Sequence, residues 1–245
     1  YPELVQAENR YEALLKAVIE RQAKLIAQWQ QLGFIHGVMN TDNTSISGET
    51  IDYGPCAFMD AYNPDTVFSS IDQNGRYRYR HQPMMMQWNL ARFAETLLPL
   101  FDPSQEQAVA MAEESIRTFP GIYQTYWIDG MRKKLGLFTA EENDSELIAG
   151  LVDWMPQHQT DYTNTFRALT ESALPQDAIF QESSFMEWHS LWQQRLARQP
   201  QPTSESLRLM QANNPVIIPR NHRVEEALTA ATEQGDYTVL QRLLA

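Results

Sequence analysis

Apolar positions recur at helical spacing from the first residues of the chain. Leu4, Ala7, Tyr11, Leu14, Leu15, Val18 and Ile19 fall three or four apart, which puts them on one face of an amphipathic helix. The same periodicity returns after residue 82 and predicts helices over 83–99, 104–119, 122–135, 140–153, 162–174, 184–197, 204–213, 224–233 and 237–244. Boundary residues agree: Asp102-Pro103-Ser104 reads as a helix start, and Gln234-Gly235-Asp236 separates the last two helices. Trp88, Trp127, Trp154, Trp188 and Trp192 fall on these helices or their ends and are expected as core anchors. Met84-Met85-Met86 is expected to pack at a helix start. One stretch breaks the pattern: between 44 and 51, β-branched residues flank Ser47-Gly48, the signal of a compact antiparallel hairpin. The expected fold is therefore mainly α with one small β-hairpin. Residues 199–204 (QPQPTS) are the candidate linker, dividing the chain into 1–198 and a helical extension 199–245.

Composition narrows the partners. With 43% hydrophobic residues, 245 residues suffice for a substantial core. A net charge of −12 and a pI near 4.8 argue against a nucleic-acid backbone or an anionic membrane surface as partner. One cysteine, Cys56, excludes an internal disulfide and a cysteine-based zinc cluster. No apolar run approaches the roughly 20 residues that span a bilayer, and the start shows no signal-peptide pattern. The expectation is a soluble, cytoplasmic, monomeric protein.

The chemistry concentrates in 33–55, GFIHGVMNTDNTSISGETIDYGP. In kinase-like enzymes a His opens the catalytic loop, a general-base Asp follows two residues later, an Asn comes five residues after that, and an Asp lies in a D-F-G-like turn. Here His36 opens the loop, Asn43 sits at the Asn position, and Asp52-Tyr53-Gly54 takes the place of the turn. The base position holds Val38. A hairpin between Asn43 and Asp52 would bring an amide oxygen and a carboxylate to one small site. Hard oxygen ligands of that kind suit magnesium, which takes few protein groups and completes its shell with water and phosphates. Singly, T-D-N and D-Y-G-P are ordinary turn sequences; together, at this spacing, they point to a metal site. Asp42 adjoins Asn43 and is the candidate proton acceptor in place of the missing base, with a turn cap as its plain alternative. His36 is expected to be structural.

Two basic clusters carry less. In 75–81 (GRYRYRH), Arg76, Arg78 or Arg80 could meet phosphate or an acidic peptide. The preferred reading has the tyrosines packing and the arginines pairing with surface carboxylates. Met131-Arg132-Lys133-Lys134 reads as a helix C-terminus complementing the helix dipole.

Several blocks closely resemble the selenoprotein-O (SelO/YdiU) family. They are F-I-H-G-V-M-N-T-D-N (34–43), T-I-D-Y-G-P (50–55), F-M-D (58–60), G-R-Y (75–77), Q-P (82–83), W-N-L (88–90), K-L-G-L (134–137), D-Y-T-N-T-F-R (161–167) and N-P-V-I-I-P-R-N (214–221). The resemblance implies a protein-kinase-like fold without the usual base, a pseudokinase. It further implies transfer of AMP from ATP to Ser, Thr or Tyr hydroxyls of proteins. Carried over by motif, Asp42 would accept the proton, and Asn43 and Asp52 would hold magnesium (or manganese), with Asp52 also near the ATP phosphates. Only residues 1–32 precede the loop, with no glycine before Gly33, so the family's nucleotide-gripping N-terminal lobe is not expected here. On this reading 1–198 is a kinase-like C-terminal lobe, inactive alone. Two other readings stay open: small-molecule phosphotransfer, whose enzymes keep an Asp where Val38 stands, and a non-catalytic lobe that binds a partner.

Overall fold

A computed structural model of the chain describes residues 1–171 and 174–245. Among the described residues it has ten α-helices and one two-stranded antiparallel sheet, so the chain is mainly α as the periodicity predicts. The first helix, α1 (Arg10–Leu32), starts later than Leu4. Asn9 ends the preceding chain by capping it: its Oδ1 accepts from the Glu12 N–H at 3.1 Å. Ahead of it, Pro2–Leu4 makes a single 3-10 turn. The buried face of α1 carries Leu15, Val18, Ile19, Ala23, Ile26 and Ala27, and with them two fully buried glutamines, Gln22 and Gln30.

The chain divides into two compact units. The first comprises Tyr1–Gln31, His36–Cys56 and Asp65–Met131, and the second Leu32–Ile35, Ala57–Pro64 and Arg132–Ala245. This partition differs from the 1–198 and 199–245 division drawn from composition. In the first unit α1 is joined by α2 (Gln82–Phe101), α3 (Gln105–Arg117) and α4 (Phe119–Lys134), whose last three residues belong to the second unit. Pro83 lies in the first turn of α2, where its missing N–H has no helical partner to lose. Ser104 caps α3 by accepting from the Gln107 N–H. On α2, Met84 and Trp88 are 57% and 43% exposed. The core role expected for both is corrected: Met85, Met86 and Leu90 face inward instead.

The second unit holds the sheet, β1 (Phe34–Ile35) paired with β2 (Ala57–Phe58) in the register Phe34↔Phe58 and Ile35↔Ala57. Its helices are α5 (Asp144–His158), α6 (Tyr162–Ala168), α7 (Ser183–Ala197), α8 (Thr203–Asn213), α9 (Asn221–Gln234) and α10 (Thr238–Leu244). The helix predicted over 162–174 ends at Ala168, and residues 172 and 173 lie outside the described residues. Trp154, Trp188 and Trp192 are buried as expected, each with its indole N–H satisfied, by Ser184 Oγ (3.1 Å), the Leu147 carbonyl (2.8 Å) and the Leu135 carbonyl (2.9 Å). The candidate linker is anchored at Gln199 and runs straight into α8. Gln199 is buried, donates to the Gly136 carbonyl (2.9 Å) and Ser206 Oγ (2.8 Å), and accepts from the Phe138 N–H (3.0 Å). No helix among the described residues is long and apolar enough to cross a membrane.

The hairpin expected around Ser47-Gly48 is present only as a turn, closed by the Gly48 N–H on the Ser45 carbonyl (3.0 Å). The flanking residues do not pair as strands because side chains from elsewhere in the unit take their carbonyls. Gln22 donates to the Ser45 carbonyl, the Tyr1 hydroxyl to Ile46 (2.5 Å), and Arg21 to Ser47. The two-stranded sheet forms instead where the chain enters and leaves the 36–56 excursion.

Candidate functional site

Residues 36–56 are an irregular loop whose backbone is held mostly by neutral side chains of α1 and α2. At its start, the His36 N–H donates to Gln82 Oε1 at 2.9 Å. Gln82 is wholly buried at the N-terminus of α2. Further along, Asn89 donates from Nδ2 to the Met39 carbonyl (3.1 Å) and to Thr44 Oγ1 (2.8 Å). Trp29 donates its indole N–H to Thr50 Oγ1 at 2.9 Å. Tyr77 donates its hydroxyl to Asn40 Oδ1 at 2.6 Å. The blocks Q-P, W-N-L and G-R-Y were visible as motifs, but nothing in their spacing told that they clamp this loop.

His36 ties the two ends of the loop together. Its ring is buried, stacked on Trp29 with centroids 5.3 Å apart, and Nε2 lies 2.8 Å from the Ile51 carbonyl. Nδ1 accepts from the Val38 N–H at 3.4 Å, so the proton belongs on Nε2 and the ring is a neutral donor to Ile51. Gly37 reinforces the closure. It sits at φ +85°, and a Cβ there would stand 2.9 Å from the Pro55 carbonyl oxygen, so only glycine lets 37 approach 55. His36 is thus a packed, bonded residue beneath the turn.

Asp42 is exposed within a 3-10 turn, Thr41–Asn43. Asn43 follows it, half-buried, with Nδ2 donating to the Val38 carbonyl at 3.0 Å. That bond fixes the amide and turns Oδ1 away from the Val38 carbonyl. Asp52 is exposed and adopts φ +55°, left-handed backbone that few non-glycine residues occupy, with the Gly54 N–H closing on its carbonyl at 2.8 Å. Asn43 is bound to residue 38 and Asp52 adjoins residue 51, itself bound to His36, so both hang from the same short strip 36–38. The carboxylates of Asp42 and Asp52 make no ion pair among the described residues, and no group of three His, Cys, Asp or Glu side chains there could hold a metal unaided. Cys56 offers no activated nucleophile: burial pushes its thiol up, and the Asp52 charge adds to this.

The remaining blocks meet in the second unit. Arg220, from N-P-V-I-I-P-R-N, bonds Asp60 of F-M-D and Asp161 of D-Y-T-N-T-F-R, both at 2.5 Å. Asp161 also caps α6, accepting from the Asn164 N–H at 2.7 Å. An ionic cluster with a buried centre at Asp144 and Arg195 joins the end of α4, the start of α5 and the end of α7. Asp144 takes Arg132 Nε and Arg195 Nε, each at 2.7 Å, while Glu141 takes Arg195 (3.1 Å) and Arg198 (2.6 Å). Burial alone would raise the Asp144 carboxyl, but bonds from Arg195, the Glu141 N–H and Arg132 outweigh it and hold it below the usual carboxylate range. Lys134, in the last turn of α4 where the sequence places it, is 3% exposed. Its Nζ lies 4.2 Å from the Phe166 ring centroid, and burial pushes it down to about 7.

With this geometry in view, comparison with known proteins is decisive for family. The model of the family "Protein adenylyltransferase SelO" matches residues 1–245. Proteins named protein nucleotidyltransferase YdiU are similar along the whole chain: 59% identical over 244 residues in Brevibacillus brevis, and 57% in both Syntrophotalea carbinolica and Halalkalibacterium halodurans. In each, the match covers 100% of this chain and 50% of the relative, so the chain spans about half the length of the curated relatives it matches.

Proposed function

Because the chain belongs to the SelO family, we propose that it supplies the metal-binding and proton-accepting loop of a protein adenylyltransferase, on a kinase-like C-terminal lobe spanning 1–198. The observation that carries this is the closure of 36–56 by His36 and Gly37, which hangs Asn43 and Asp52 from one strip of backbone. An amide oxygen and a carboxylate fit magnesium (or manganese), a hard cation that would need water and phosphate oxygens to complete its shell. When bound, the ion would neutralise the phosphates of ATP. Asp42, exposed beside Asn43, accepts the proton as a Ser, Thr or Tyr hydroxyl of the protein substrate attacks the α-phosphate. The new bond joins substrate oxygen to α-phosphorus, the α–β bond breaks, and pyrophosphate leaves. Positioning and electrostatics carry most such transfers, so the groups that grip the rest of ATP matter as much as this loop.

The test uses a protein of full family length that contains this chain. Label from α-labelled ATP should enter a protein substrate, and label from γ-labelled ATP should not. Asp52→Ala should abolish incorporation, and Asp42→Ala should slow it while ATP binding persists. The 245-residue chain alone should incorporate little. Transfer of the γ-label would point to phosphotransfer and overturn the reading.

A further inference from the structure

Beside the loop stands an exposed aromatic ring with two cations within reach of it. Trp88, on α2, has the Arg76 guanidinium 5.0 Å from its centroid and that of Arg92 at 5.2 Å. Arg76 also lies 5.7 Å from the Tyr77 ring. The segment is folded into this position by Asp72, whose two carboxylate oxygens accept from the Arg76 and Tyr77 N–H groups at 2.8 Å. The arginines of 75–81 then part company. Arg78 and Arg80 share Asp65 at 2.9 and 2.8 Å, and Arg92 pairs with Glu95 at 2.7 Å, whereas Arg76 pairs with no carboxylate among the described residues. The reading that all these arginines merely pair with surface acids therefore fails at Arg76.

Three physical points favour an acidic occupant. A guanidinium stacked on indole keeps its in-plane N–H edge open, the edge that takes a carboxylate in bidentate fashion. Exposed Trp beside Arg is the composition on which protein interfaces draw for their energetic centres. Charge decides the sign: in a chain that carries −12 overall, an exposed guanidinium with no carboxylate partner among the described residues favours an acidic segment. Position relates the patch to the chemistry, since Tyr77, adjoining Arg76, donates to Asn40, two residues before Asp42.

We propose that Arg76 and Trp88 form the docking platform for an acidic segment of the protein substrate, its carboxylate meeting Arg76 and its aliphatic stem lying against the exposed part of the Trp88 ring. This rests on the reading that the acceptor is a protein hydroxyl, and it adds a substrate class: proteins with acidic residues near that hydroxyl.

A binding measurement separates the platform from the chemistry. Fluorescence anisotropy would follow the 245-residue chain with a fluorescein-labelled glutamate-rich peptide, a glutamine-rich peptide of equal length and a single-stranded oligonucleotide. The glutamate peptide should bind preferentially and weaken as salt is raised. Arg76→Glu and Trp88→Ala should each weaken it by about tenfold or more, while Arg117→Glu, an exposed arginine on α3, should not. Equal binding of the glutamine peptide or the oligonucleotide, or undiminished binding by Arg76→Glu, would overturn the proposal. In the full-length protein, Arg76→Glu should raise KM for an acidic protein substrate and leave kcat and KM for ATP unchanged. Failure of the unmutated chain to bind the glutamate peptide, with AMP transfer present in the full-length protein, would sink this inference alone; peptide binding without AMP transfer would sink only the reading beneath it.

Discussion

The loop 36–56 and the ionic cluster on α5 and α7 handle acidic residues in opposite ways. In the cluster, every carboxylate has a guanidinium: Asp144 is fully buried between Arg132 and Arg195, and Glu141 bridges Arg195 and Arg198. In the loop, uncharged groups do most of the holding, Gln22, Gln82 and Asn89 on the backbone and Trp29 on Thr50 Oγ1, with Arg21 adding one longer bond, while Asp42 and Asp52 stand exposed with no ion pair among the described residues. Paired acids hold a fold together; acids held ready by a rigid neutral frame are available to a ligand. The contrast separates structural from chemical carboxylates better than position in the sequence does.

The largest effect should come from breaking the cluster. Arg195→Ala leaves Asp144 buried with part of its compensation gone and should lower the unfolding free energy by about 3–5 kcal/mol in urea titrations. Acid should act at the same place. Because the folded Asp144 carboxyl lies below its unfolded value, its stabilisation is complete above that unfolded value and is lost as pH falls through the folded one.

Lys134 gives the next effect: its stability contribution also rises with pH, but its replacement should stabilise rather than destabilise. Its folded ammonium titrates near 7, below the unfolded value of about 10.4, so between these the unfolded chain keeps a proton that the fold has shed. Stability contributed there rises with pH across that window, and the cost of burying the charge is full below it. Lys134→Met should therefore stabilise at neutral pH, on the order of 2–4 kcal/mol after the cation–π contact with Phe166 is lost, and flatten the rise. The difference between the two proteins, measured by urea unfolding across pH, checks the sign.

Smaller losses are expected from the loop's frame. Gly37→Ala meets both a positive φ and the Pro55 carbonyl and should cost about 1–3 kcal/mol. Asn89→Ala removes two donated bonds but also a buried amide oxygen that has no partner, so its cost should sit near the low end, about 1 kcal/mol. Both would be read by thermal and urea unfolding. A cost for Asn89→Ala as large as that for Arg195→Ala would blur the contrast between neutral frame and ionic cluster.

Much of the helical content was legible because 3.6-residue periodicity is a local property: the helices over 184–197, 204–213 and 237–244 differ from the observed α7, α8 and α10 by a residue at most. The hairpin was not legible. Its β-branched residues and Ser-Gly turn fit the local rule, but carbonyls of 45–47 are taken by residues that lie 23 to 45 positions away in sequence, which no local pattern encodes. Trp88 misled for a related reason: indole reads as core, and only the structure shows it stacked between guanidiniums at the surface. The candidate pair Asn43 and Asp52 came from spacing, whereas the device that draws the loop's ends together, His36 on Ile51 and Gly37 against Pro55, required coordinates.

The most direct test of the contrast is Asp52→Asn in a protein of full family length that contains this chain. The change removes a charge and almost no volume, from a side chain that makes no ion pair among the described residues. Incorporation of α-label into protein should fall to background while the urea midpoint stays unchanged, stability shifting by no more than about 0.5 kcal/mol. Undiminished labelling, or a loss of labelling that merely follows unfolding, would contradict the assignment of Asp52 to chemistry.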